Sequence, residues 1–113
     1  MMSNLRNSVK LIGHLGIDPE LKTLSSGKKL TNVRLATNDS YKNSEGQYVQ
    51  NTQWHTIVAW GKLAEIMAKH FQKGKEVAVE GKLVHRSFED KDGQTKYVTE
   101  IVASQVMMLG KKN

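Results

Sequence analysis

A chain of 113 residues suits one domain with a core of its own. It contains no cysteine, which excludes disulfides and thiolate metal sites, and no apolar run nears the roughly 20 residues of a membrane span. The 17 basic and 11 acidic side chains leave a net charge of +6, a balance that suits a polyanionic partner. The apolar core of a signal peptide is also missing from the first residues.

Val9, Leu11 and the stretch 13–16 read as a first strand with a glycine bend, followed by a turn at Pro19, the single proline. A short extended piece at 21–24 and a turn at 25–28 lead to a second strand over 30–37. There Val33 and Leu35 point inward, and Asn32 and Arg34 outward. The polar segment 38–50 is too long for a tight hairpin and reads as a loop carrying Tyr41. A third strand spans 52–60. Its alternation puts Trp54, Thr56, Val58 and Trp60 on one face and Gln53, His55, Ile57 and Ala59 on the other. Both faces mix apolar and polar groups, so alternation alone leaves open which one is buried.

The spacing predicts a helix over 62–71, with Leu63, Ile66, Met67, His70 and Phe71 as its apolar stripe and Gly74 as its stop. On that stripe His70 reads as a packed residue. Val77, Val79, Gly81 and Leu83 then point inward along a fourth strand, with Lys82, Arg86 and Phe88 on its other face. An Asp-Gly turn over 89–93 leads to a fifth strand over 94–102, and 106–109 forms a short apolar ending. Three strands, a helix and two strands is the element order of an all-β, five-stranded OB-fold barrel with one helix between its third and fourth strands. The expected domain covers 1–110, followed by a short basic end at 111–113.

Aromatic rings with cations between them point to unpaired nucleic acid. Indole and phenyl faces stack on bases of any identity, and ammonium and guanidinium groups meet phosphates. Tyr41, Trp54, Trp60 and Phe88 are the expected stacking rings; Lys42, Lys62, Lys73, Lys82 and Arg86 are the expected phosphate contacts. The competing reading makes Trp54 and Trp60 core residues. Catalytic chemistry finds no support. Asp90 and Asp92 lie in a turn, Glu76 and Glu80 read as surface charges near Lys82, and the four histidines lack metal-ligand spacing. No glycine-rich phosphate loop occurs, so neither an enzyme nor a resident cofactor or metal is expected.

The chain also resembles the bacterial-type single-stranded DNA-binding proteins. The segments that carry this are VKLIGHLGIDPEL, LATNDSY, QWHTIVAWGKLAEI, KGKEVAVEGKL and DGQTKYVTEIV, in family order, with Met108-Leu109-Gly110 at the end. The resemblance implies an OB-fold homotetramer with two-fold axes that protects single-stranded DNA during replication, recombination or repair. It implies stacking at Tyr41, Trp54, Trp60 and Phe88, basic groove positions at Lys62, Lys73 and Arg86, and a subunit-interface position at His55. A bacterial cytoplasmic, nucleoid-associated location follows, ahead of a mitochondrial one. This sequence departs from the family at Thr56, Val84 and Ser87, where a basic residue is common, and at His14, where asparagine is usual. It also ends without the family's acidic tip, so recruitment of enzymes by that tip is not expected. A primosome-type OB-fold adaptor, with weaker DNA binding, is the alternative.

Overall fold

The structure is a computed structural model that describes residues 5–110; the expected basic end lies outside the described residues. The elements are β1 (Val9–Leu15), β2 (Lys22–Thr23), β3 (Lys29–Lys42), β4 (Tyr48–Trp60), α1 (Gly61–His70), β5 (Glu76–Glu89) and β6 (Thr95–Met108). Neighbouring strands run β1-β5-β6-β4-β3-β2, and a further β1–β3 pairing closes the sheet on itself. The five long strands form the expected OB-fold barrel. The two-residue β2 is an addition, so the helix falls between β4 and β5 in this numbering.

Closure depends on β1 changing partners. Val9 to His14 pair with β5, whereas His14 and Leu15 pair with Ala36 and Leu35 of β3. At the change of partner stands Gly13, buried, where a Cβ would lie 2.2 Å from the Ala36 carbonyl oxygen. Only a residue without a side chain lets the two backbones approach so closely. Inside, Leu15, Val33, Leu35, Ile57, Val77 and Ile101 form the centre of the core. These are the odd-numbered, inward positions of their strands, as alternation requires.

Several local expectations are corrected. The helix buries Ala64 and Met67, with Phe71 just past its end, while Ile66 and His70 are exposed. The buried seam is thus i, i+3, i+7 and narrower than the apolar stripe, because α1 meets the barrel along one line. His70 occupies the last turn, where a basic group faces the free carbonyl end of the helix. Gly74 does not stop the helix, which ends when Phe71 becomes extended. Instead Gly74 sits in the next turn and donates its N–H to the Leu15 carbonyl at 2.8 Å.

The polar segment 38–50 is mostly strand. β3 and β4 continue through it as a ribbon joined by the turn 43–47. The Asn43 side-chain oxygen accepts from the N–H groups of Glu45 at 2.9 Å and Gln47 at 3.0 Å. Asp90 accepts from Asp92 and Gln94, both at 2.9 Å, in the β5–β6 turn. Leu83, expected inside, is exposed; it lies beyond an irregularity at Glu80/Gly81, where β5 runs out past the barrel end.

One core position is imperfect. Thr31 is fully buried, and among the described residues its hydroxyl has no hydrogen-bond partner. A buried unpaired hydroxyl costs about 1–3 kcal/mol. Thr31→Val keeps the branched shape and removes the polar atom, so it should raise stability by about 1 kcal/mol. Thermal melting checks this; an unchanged or lower melting temperature would contradict it.

Candidate nucleic-acid interface

Alternation and register together define one outer sheet face. On β4 it carries Tyr48, Thr52, Trp54, Thr56, Val58 and Trp60. β3 adds their partners, with Arg34 opposite Thr56, Ala36 opposite Trp54 and Lys42 opposite Tyr48. The pairing of Val58 with Val102 extends the face to β6, and Lys82, Arg86 and Phe88, opposite Val102, Val98 and Lys96, extend it to β5. The structure thus brings together five of the expected site residues: Trp54, Trp60, Lys82, Arg86 and Phe88. Their inward neighbours Ile57 and Ala59 fill the core.

The tryptophans are not core. Trp54 is 52% exposed, Trp60 44% and Phe88 46%. Tyr41 is also half-exposed, yet it pairs with Val49 and shares parity with His55, on the other side of the ribbon from Trp54. The ring on the groove side at that end is Tyr48, with the Lys42 ammonium 5.5 Å from its centroid. Sequence reasoning passed over Tyr48; the register that turns it toward the groove depends on the turn 43–47.

Each ring has its own setting. One edge of Trp54 rests on Gly16, where a Cβ would lie 2.6 Å from Cζ3 of the indole. The Arg34 guanidinium lies over that ring, 5.4 Å from its centroid, and with Ile17 completes a pocket around it. Trp60 borders a cleft with Lys28, Lys29 and Glu65, in which Lys29 and Glu65 approach to 3.7 Å. Lys62, in the first turn of α1 just after Trp60, is exposed. The backbone N–H of Lys73 donates to the Asp18 carboxylate at 2.7 Å, tying the α1–β5 loop to the β1–β2 loop.

Arg86 differs from the other cations. It donates through Nε at 3.1 Å and Nη2 at 2.9 Å to the Glu100 carboxylate, which is almost buried beneath it. This hydrogen bonding, together with the charge of Glu100, raises Arg86 further above its already high ordinary value. The guanidinium also lies 5.9 Å from the centroid of Phe88. Glu100 gave no sign in the sequence, because its burial follows from its place opposite Val84 in the middle of the sheet. His55 is half-buried, and its Nε2 lies 3.0 Å from the Thr37 hydroxyl.

Gly16 supplies a test of the Trp54 setting. Gly16→Ala should push the exposed indole off its rest, with little strain elsewhere, because the nearest backbone atom lies 3.6 Å from the new Cβ. A changed Trp54 emission with a nearly unchanged melting temperature is expected. Unaltered emission would mean that the ring does not rest there.

Among the described residues no group of acidic and histidine side chains could hold a metal ion, and no helix is long and apolar enough to cross a membrane. Comparison with known proteins is consistent along the chain. The model of the single-strand binding protein family matches residues 6–109. The chain is 49% identical to single-stranded DNA-binding protein 1 of Chlorobaculum tepidum over 95% of its own length and 67% of that protein's. It is 41% identical to single-stranded DNA-binding protein 1 of Xylella fastidiosa, over 94% of this chain and 79% of the other. Among solved structures, the Plasmodium falciparum SSB in complex with ssDNA superposes with a TM-score of 0.85 at 30% identity, covering 97% of this chain and all of that one. A Thermus aquaticus single-stranded DNA-binding protein superposes with a TM-score of 0.79 at 29% identity, over 92% of this chain and 50% of the other. The chain belongs to the single-strand binding protein family.

Proposed function

We propose that the chain binds single-stranded DNA without reading its sequence and protects it during replication, recombination or repair. The observation that carries this is the outer sheet face, on which Trp54, Trp60 and Phe88 stand half-exposed, with Lys82 and Arg86 on β5 alongside Phe88. Bases stack on the rings, each ring adding about 1–3 kcal/mol, and cations meet the phosphates between them. Lys42, Lys62, Lys73 and Lys82 serve as phosphate contacts; Arg86 shares the face with its charge already answered by Glu100. Tyr41 serves as a stacking ring only if the strand wraps over the ribbon edge. The chemistry is binding alone, without catalysis.

Tryptophan emission titrated with poly-thymidine, beside a matched duplex, tests this reading. Quenching and clear preference for the single strand are expected, because paired bases cannot lie on the rings. Equal affinity for the duplex without quenching would sink it.

We further propose a homotetramer with two-fold axes. Val9 to Ile12 pair with β5 on one side and, among the described residues, with no strand on the other. An open strand edge is a template for another copy of the same strand. Beside it lies a largely apolar face bearing Ile12, Ala78 and Met107, at the end of β5 opposite Phe88 and rimmed by Lys10, Glu80 and Gln105. A second copy would bury both the edge and the face and leave the rings free. His55 is assigned to a subunit contact by its family position, with its ring steadied by Thr37. His55→Tyr breaks that bond and should shift light-scattering mass toward smaller species on dilution. A wild-type monomer at micromolar concentration would refute the assembly, and unaltered mutant mass would refute the role of His55.

A further inference from the structure

Several cations are already engaged with carboxylates. Arg86 is held by two hydrogen bonds to Glu100, Lys29 approaches Glu65 and Lys96 approaches Asp90. Arg34 is different. It is exposed on the outer face of β3, and among the described residues no carboxylate pairs with it. Its guanidinium nevertheless lies over Trp54, the ring with the most built surroundings.

Its position is well fixed. The Arg34 carbonyl accepts the Gly16 N–H at 2.8 Å, so the same glycine that bounds the Trp54 edge also holds the backbone of Arg34. Across the ladder stands Thr56, a short side chain that leaves the space above β4 to the arginine. An uncommitted guanidinium beside a stacking ring is fitted to a nucleotide. The ring meets the base, and the planar fork meets the phosphate of the same residue or its neighbour, with two donors per phosphate.

We infer that Arg34 is the principal phosphate contact at the Trp54 position, releasing the indole face to a base and turning its guanidinium to the adjoining phosphate. This rests on the single-strand binding proposed above. It assigns to Arg34 the role that sequence reading gave to Arg86 at the centre of the sheet.

The test is the salt dependence of binding to poly-thymidine, for the wild type and for Arg34→Gln, Arg34→Thr and Arg34→Lys. Threonine is included because it favours strands, so that disruption of β3 does not enter. Each phosphate contact to a single strand contributes roughly −0.7 to the log–log slope. Both neutral variants should therefore flatten the slope by about 0.7 and lose about tenfold in affinity at moderate salt, with melting temperatures near wild type. Arg34→Lys should restore the slope. A wild type that binds with quenching, beside neutral variants of unchanged slope, would overturn this inference and leave the proposed function standing. A lysine variant as flat as the neutral ones would overturn it too, because the loss would then be structural. A wild type that fails to bind single strands would overturn both.

Discussion

Replacing Trp54 by alanine should weaken binding to poly-thymidine by about 1–3 kcal/mol, or about 5- to 150-fold. The ring is half-exposed, and the Arg34 guanidinium lies over it. Its removal therefore takes a platform from the strand while leaving the core intact. The melting temperature should move little. A packed tryptophan behaves in the opposite way, with truncation costing about 3–5 kcal/mol of folding stability. Measuring both quantities on one protein separates the two: a large melting loss with wild-type affinity in the folded fraction would return Trp54 to the core. The same substitution should also free Arg34 from the ring, so some charge-driven binding should survive at low salt.

Gly13→Ala should have the largest effect on stability, about 3 kcal/mol or more. The added methyl group would sit 2.2 Å from the Ala36 oxygen and 2.9 Å from its carbonyl carbon. Both are backbone atoms in a paired strand, so no rotamer change relieves the clash. β1 must move away from β3, and with it the pairings of His14 and Leu15 that close the barrel. Denaturant unfolding measures the loss. A midpoint within error of wild type would show that the closure tolerates a side chain. Gly16→Ala makes a useful comparison, since its clash is with the movable end of an exposed ring.

Features with a short period were readable in the sequence. The barrel order, the shared face of Trp54 and Trp60 and the outward parity of Arg86 and Phe88 follow from alternation along single strands. What escaped needed relations between strands. Arg34 was read as outward, but its place over Trp54 comes from register across β3 and β4. Glu100 looks like any strand carboxylate until β5 covers it with Arg86. Tyr41 and Tyr48 are both exposed tyrosines in a polar stretch, and only the pairing says which side each takes. Of the five stripe positions read for the helix, contact with the barrel buries Met67 and Phe71, exposes Ile66 and His70, and adds Ala64 from outside the stripe.

The matched turns at 43–47 and 90–94 have a consequence for the groove. Near the tip of the β3–β4 ribbon, residues on both sides are largely exposed, so burial does little to hold the strands in phase. Phase there is set mainly by the Asn43 side chain gripping two backbone N–H groups, with Gly46 in a left-handed conformation at φ 80°. Because side chains alternate with a period of two, a slip of one residue exchanges the sides of every group on the sliding strand. Lengthening this turn by one residue would let Tyr48 swing away from Trp54 and Lys42 lose its ring. A turn would then decide the length of the aromatic track, although every ring in the sequence had stayed the same.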